Sequence, residues 1–311
     1  MNFTISTCTR RLARTLAVAG LISLAPLGLA VAESRTIDTA FGEVELQGTP
    51  QRVITLGENP LDVALSLGVQ PLGSVATRGG NDVSAYLKDK AGAIRVVGTA
   101  RETNLESVFA LQPDLILASP ELDKDQYQKL SLMAPTIVPK GNSFQDWRVN
   151  VELYGQALGK GAEAKAAIAA IDQRIDALKG KVEPGQVASV VRWNPQGPGV
   201  MSSHLFVGQL LAQLGFKSTA MAEALTTKPH SDALSLENLS RIDGDWLFLA
   251  TLNPDGAKAL EQARQQPAFA RLKAVSSGHA VSVDGQIWSS GSGPLAAQVI
   301  LDDVEKALSG R

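Results

Sequence analysis

Residues 104–119 read NLESVFALQPDLILAS, and residues 235–250 read SLENLSRIDGDWLFLA. Leu105 aligns with Leu236, Glu106 with Glu237 and Asp114 with Asp245, while Val108 and Leu111 align with Leu239 and Ile242. Each copy opens on a small polar residue suited to cap a helix, passes through a short helical pattern and ends in an apolar run suited to a buried strand. A helix feeding a buried strand is part of a βα unit, so writing it twice, 131 residues apart, predicts two α/β lobes. DVALSLGV (62–69) and GQLLAQLGF (208–216) pair in the same way, each ending a helix with Leu-Gly before an apolar residue.

The units on either side of the repeat follow the same alternation. Outward from the first copy, VITL (53–56), PLGSVA (71–76), IRVVG (94–98) and PTIV (135–138) predict strands. Helices are predicted over Pro60–Gly68, near Gln126–Met133 and over the LESVFALQ of the repeat itself. Trp147, Val151, Tyr154 and Leu158 then recur at helical spacing, and Ala162–Lys179 continues as a helix of roughly 27 Å at 1.5 Å per residue, long enough to join two small lobes. After it the alternation restarts with VASVVRW (187–193), a helix over Ser203–Gly215, the second copy, HAVSVDGQIW (279–288) and a helix over Pro294–Leu308. The expected organisation is a leader at 1–32, an N-terminal lobe at 33–143, a helical connector at 144–182 and a C-terminal lobe at 183–311.

The leader rests on Arg10, Arg11 and Arg14, an apolar stretch from Leu16 to Leu29 and the small-residue site Ala30-Val31-Ala32. That is the anatomy of a secretory signal. A membrane-spanning helix needs roughly 20 apolar residues, and this stretch is shorter and holds Pro26. Cys8, the single cysteine, precedes the apolar stretch, so a chain starting at Glu33 carries no disulfide and no thiolate metal site. Loss of three leader arginines moves the formal charge from −2 to 26 basic against 31 acidic residues, or −5, which argues against nucleic acid as a partner.

In open parallel sheets, ligands bind beyond the carboxyl ends of the strands. The residues at those ends are Glu58, Arg78, Arg101 and Ser119 in the first lobe, and Arg192, Trp193, Thr251, Asn253 and Trp288 in the second. Trp147 and Arg148 open the connector nearby. Arginine there suits a ligand bearing carboxylates, catecholates or phosphates, because its planar fork bonds them in pairs and stays charged. Tryptophan adds a broad apolar face with one donor. His204, His230 and His279 have no metal-ligand spacing, although His204 starts a second-lobe helix expected to face the cleft. No nucleophile elbow, phosphate loop or dinucleotide motif is present, and SSGSG (289–293) fits a helix-start cap, so no catalytic residue is assigned.

The ordered set TPQRVITL, VGTARETNLESVFALQPDLILAS, LMAPTIV, SLENLSRIDGDWLFLA and WSSGSGPLAAQVILDDV resembles the periplasmic binding proteins of ABC importers for ferric siderophores, haem and vitamin B12, nearest to the siderophore and ferric-citrate branch, from Thr49 to Leu308. The resemblance implies a bilobal α/β fold with two parallel-sheet lobes joined by a long interdomain helix, a shallow cleft and no enzymatic activity. It implies a periplasmic monomer that captures a ferric siderophore, as ligand and not as cofactor, and delivers it to an inner-membrane ABC permease. By position, Glu106 and Glu237 match the glutamates that dock such receptors on permease arginines, and Trp288 matches a pocket tryptophan. The arginine that hydroxamate receptors carry before this motif falls at Ala100, with Arg101 beside it. On this reading Arg78, Arg101 and Arg192 neutralise the chelate and Trp193, Trp288 and Trp147 pack on it. Haem or a corrinoid, with His204 or Tyr86 as axial ligand, is the alternative ligand, and a secreted two-domain enzyme the alternative class.

Overall fold

VITL, Val53–Leu56, is buried along its whole length and forms the central strand of a parallel sheet. Four consecutive buried residues fit only a strand covered on both sides. In the computed structural model, which describes residues 1–2, 34–142 and 146–310, an antiparallel hairpin of β1 (Ser34–Thr39) and β2 (Gly42–Gln47) precedes this strand, β3. The expected leader lies almost wholly outside the described residues. The hairpin leaves little trace in the sequence, because its apolar positions are few; Arg35 ties it to the carbonyls of Gly48, Gln156 and Ala157.

The first sheet adds β4 (Gly73–Ser74), β5 (Arg95–Val96), β6 (Leu115–Ala118) and β7 (Thr136–Ile137) in the order β5-β4-β3-β6-β7, all parallel. Helices α1 (Glu58–Ser66), α2 (Ala85–Ala91), α3 (Leu105–Ala110) and α4 (Lys124–Ser131) lie between the strands in sequence. Then come α5 (Trp147–Ala157) and α6 (Gly161–Lys179), a 19-residue helix of about 28 Å. Gly159, at φ +70°, turns the chain between them.

The second sheet contains β8 (Val187–Asn194), β9 (Gly197–Val200), β10 (Lys217–Ser218), β11 (Trp246–Thr251) and β12 (Ala280–Asp284). Its order is β10-β8-β11-β12, parallel, with β9 antiparallel on β8. Its helices are α7 (Phe206–Leu214), α8 (Ala220–Glu223), α9 (Pro254–Arg264), α10 (Pro267–Ala270), α11 (Lys273–Ser276), α12 (Gly285–Ser290) and α13 (Pro294–Leu308). The architecture is bilobal α/β with two parallel sheets, as the repeat predicts.

The two copies of the repeat build equivalent corners. Asn104 caps α3 by accepting from the Ser107 N–H at 2.9 Å, and the helix delivers the chain to β6 beside β3. In the second copy Leu236–Ile242 winds as a 3-10 helix, and β11 follows beside β8. The tighter winding corrects the expectation of an α-helix there; the segment still presents Glu237 in its first turn.

The last helix departs from expectation in a different way. SSGSG predicts a local cap, but Gly293 gives no side-chain cap to α13. Asp62 of α1 does so from 233 and 234 positions away, its carboxylate accepting from the N–H groups of Leu295 (2.9 Å) and Ala296 (2.8 Å). Gly293 sits at φ +124° with no room for a Cβ, which would fall 2.4 Å from Asp62 Oδ1. The C-terminal helix is thereby pinned on the first lobe.

Candidate functional site

In both sheets the chain first builds strands to one side of its opening strand and then crosses to the other, leaving a switch point between β3 and β6 and another between β8 and β11. Loops diverge from the strand ends there and leave a crevice. A cavity of about 720 Å³ occupies the first of these crevices and runs on to the second lobe. Its walls include Gly57 and Glu58 after β3, Arg78 after β4, Thr99 and Arg101 after β5, and Ser119 after β6. From the other side come Val190 of β8, Phe206 of α7, Trp147 of α5 and Trp288 and Ser290 of α12.

Several polar atoms here are buried without a hydrogen-bond partner among the described residues: Glu58 Oε1, Asn59 Oδ1, Trp147 Nε1 and Ser290 Oγ, all on residues that line the cavity. An isolated buried polar group costs roughly 1–3 kcal/mol, so such a cluster marks a place where a ligand or water completes the bonding. Arg192 Nε is in the same condition.

Trp147 is held by two contacts. Phe206 packs edge-on at 5.5 Å, and the Arg148 guanidinium lies 4.8 Å from its ring centroid. Arg148 in turn bonds Asp146, Asp172 of α6 and Gln213 of α7, so the indole is fixed from the connector and from the second lobe at once. Trp288, 1% exposed, stacks on Phe248 at 4.5 Å, donates from Nε1 to Asp303 at 2.7 Å and contributes to the cavity wall.

Arg192 and Trp193 are neighbours on β8, and side chains alternate along a strand. Arg192 shares the parity of Val190, which lines the cavity, but is itself buried and not part of the lining; burial followed by the charge of Arg78 pulls its pKa down. Two arginines, one from each lobe, therefore feel each other, and none of Arg78, Arg101 and Arg192 enters an ion pair among the described residues. Trp193 points the other way. It packs behind the sheet against Phe269 at 6.0 Å, 2% exposed, and does not line the cavity, which corrects its expected role.

The two axial-ligand candidates for haem are also turned away. His204 is exposed and its Nε2 contacts the Glu223 carbonyl at 2.9 Å. Tyr86 donates to Asp62 Oδ2 at 2.9 Å. Neither lines the cavity, and no cluster of three metal-binding side chains occurs among the described residues. Asn253 caps α9 through the Gly256 N–H at 3.0 Å, a structural duty.

The acids divide by burial. Burial pushes the Glu58 carboxyl up to about 7, against the lowering effect of Arg78 and the Ser84 hydroxyl, while Asp284 and Asp62 push it further up. Burial likewise takes Asp62 up to about 7 despite its two backbone donors and Tyr86. Glu106 and Glu237 stand exposed, each in the first turn of its helix. Phe109, one turn after Glu106, is 68% exposed, and Leu236 beside Glu237 is 43% exposed.

A profile of the periplasmic binding protein family matches residues 53–287, which takes in both sheets and the connector. The chain belongs to this family. Among its relatives, the probable siderophore-binding lipoprotein YfiY of Bacillus subtilis (strain 168) is 32% identical over 284 residues, covering 88% of this chain and 87% of the relative. The Fe(3+) dicitrate-binding periplasmic protein FecB of Escherichia coli (strain K12) is 26% identical over 278 residues, covering 87% and 89%. The crystal structure of Staphylococcus aureus SirA complexed with staphyloferrin B superposes with a TM-score of 0.77 at 27% identity, covering 88% of this chain and 98% of that one. These relatives are binding proteins and not enzymes, so this periplasmic binding protein has its cleft for capture. The sequence marks Glu58 only as a residue beyond β3; it gives no sign of the orphaned Asn59 and Ser290, because no local pattern marks a residue whose partner is absent.

Proposed function

We propose that this binding protein captures an anionic ferric siderophore in the cleft and delivers it to an inner-membrane ABC permease. One observation supports this above the rest: Arg78 and Arg101 line a cavity large enough for a compact chelate with no ion-pair partner among the described residues, and the charge of Arg78 also bears on buried Arg192 of the other lobe. Like charges held together in a partly buried site repel until an anion joins them. Arg101 is exposed and adds a third charge to the lining, and the buried Trp147 and Trp288 form apolar wall with one indole N–H, that of Trp147, lacking a partner among the described residues. An iron already wrapped by its chelator needs no protein ligand, which agrees with histidines engaged elsewhere.

The relatives bear on the same choice, since YfiY is a probable siderophore-binding protein, FecB binds Fe(3+) dicitrate and SirA was crystallised with staphyloferrin B. In this proposal the chain acts in the periplasm as a monomer after removal of residues 1–32, with lobes at 33–143 and 183–311, a connector at 144–182, and Glu106 and Glu237 as the permease contacts. Tryptophan fluorescence titrated with ferric citrate, citrate-hydroxamate, catecholate and hydroxamate chelates, haemin and cobalamin tests it. Saturable quenching by an anionic ferric chelate is expected. Tight binding of haemin alone would overturn the assignment.

A further inference from the structure

Among the described residues, Glu58 is the acid of the cleft lining that has a buried oxygen without a hydrogen-bond partner. Three carboxylates gather here: Glu58 opens α1, Asp62 lies one turn along the same helix, and Asp284 caps α12 across the cleft wall. The groups facing Glu58 are Arg78 from the loop after β4, the Ser84 hydroxyl and Tyr86 of the α2 segment, Asp284 from β12 and Asp62 from its own helix. Arg78 thus has acids as well as Arg192 around it, so the protonation of those acids sets the charge that an incoming anion meets.

The three acids are not equivalent in what holds them. Asp62 accepts from Leu295 N–H, Ala296 N–H and Tyr86 O–H, so both its oxygens are engaged with the fold and turned to no ligand. Asp284 accepts from Gln286 N–H at 2.7 Å in capping α12. Glu58 Oε1 accepts from nothing among the described residues. A proton is therefore accommodated on Glu58 Oε1 without displacing a donor, on a residue that lines the cavity and keeps its Ser84 contact.

Resting on the binding function proposed above, we propose that Glu58 is a specificity-determining residue that meets an anionic ferric chelate as a neutral hydrogen-bond donor, so that ligand and proton enter the cleft together. The Arg78 and Arg192 charges then act undiminished, and the carboxylic acid bonds a carboxylate or hydroxamate oxygen that a carboxylate would repel. Affinity becomes tied to acidity: with Glu58 half-protonated near pH 7, the competent fraction falls about tenfold between pH 6 and pH 8.

The test is calorimetry of the chain from Glu33 onward with ferric citrate and with a citrate-based ferric hydroxamate, in two buffers of unlike ionisation heat, from pH 6 to 8. Wild-type protein is expected to take up most of one proton per chelate at pH 8 and to bind about tenfold more weakly there than at pH 6. Glu58→Gln, which keeps a donor without titrating, is expected to bind at pH 6 within about threefold of wild type, to hold that affinity at pH 8 and to lose the proton uptake. Because the chelate's own protonation is common to both proteins, the difference between them isolates Glu58. The same proton count for wild type with both chelates supports the proposal without any variant. Tight binding with no proton uptake, or equal uptake in both proteins, overturns the role of Glu58 while leaving the binding function standing; no binding of either chelate overturns both.

Discussion

Asp114 and Asp245 make the same contact in the two lobes. The Asp114 carboxylate accepts from the N–H groups of Gln51 and Arg52, both at 2.8 Å, and its own N–H donates to the Arg52 carbonyl at 3.0 Å. Asp245 accepts from Val187 N–H at 2.7 Å and donates to the Val187 carbonyl at 2.8 Å. Each closes the entrance of its strand onto the central strand beside it, setting the register of β6 on β3 and of β11 on β8. Lys273 adds an ion pair to Asp245, at 2.5 Å.

Removing either clamp should therefore cost stability and spare binding. Hydrogen bonds to a charged acceptor contribute roughly 1.5–3 kcal/mol. Asp114→Ala and Asp245→Ala are each expected to lower unfolding free energy in urea by about 1–3 kcal/mol, with chelate affinity unchanged. Wild-type stability in both variants would show that the repeated aspartate does not hold the register.

The two repeat glutamates face solvent, away from the cleft lining. Glu106→Arg and Glu237→Arg are expected to bind chelate within about twofold of wild type and to fail in uptake by cells that depend on this receptor. A folded variant that loses chelate binding would move the residue into the pocket. Normal uptake in both would leave them as helix-start acids, favoured by the helix dipole by about 0.3–1 kcal/mol.

Gly293 and Gly180 form a matched pair of positions. Gly293 has φ +124° and Asp62 Oδ1 in the place of a Cβ, whereas Gly180 has φ −71° and open space. Gly293→Ala is expected to destabilise by about 2 kcal/mol or more, from strain and a disturbed cap, and Gly180→Ala to be neutral or stabilising by about 0.4–1 kcal/mol. Equal melting temperatures for the two variants would deny the Asp62 clamp on α13.

Burial raises the carboxyls of Glu58, Asp62 and Asp303 above their ordinary range, the first two to about 7. Between about pH 4.5 and 7 the folded chain then binds more protons than the unfolded one, so stability falls as pH rises through that window, by up to about 1.4 kcal/mol per pH unit for one such group. Glu58, being partly exposed, contributes less than that limit. Denaturation midpoints from pH 5 to 8 should decline, and Asp62→Asn should flatten the decline. A midpoint that climbs over this range in wild type refutes it.

The tryptophans separate by strand parity and by partner. Trp193→Phe is expected to leave chelate affinity within about twofold, because the ring packs behind β8 on Phe269. Trp147→Phe removes the orphaned indole donor and should weaken binding about tenfold, the equivalent of roughly 1.4 kcal/mol. The opposite ranking in a titration would return Trp193 to the pocket.

Much of the frame is legible in the chain itself. VITL, LILA and the Pro294–Leu308 helix stand at the residues where apolar runs and Pro-initiated periodicity place them, since a buried strand and an amphipathic helix each leave a local pattern. The α9, α10 and α11 segments escape a sequence reading because they lie as weakly patterned chain between two stronger signals.

The sequence alone determined the repeat, the order of strands and hence the existence of a cleft at their carboxyl ends, because all of these depend on residues near one another along the chain. Tertiary structure decided which candidates meet there. Adjacent residues Arg192 and Trp193 part company because a strand sends neighbours to opposite faces, a choice of side that depends on what covers each face. Glu58 and Ser290 come to line one cavity, and Asp62 caps a helix through an N–H 233 positions away, because folding brings distant backbone groups into contact, and only that contact leaves one acid satisfied and its neighbour without a partner for one oxygen.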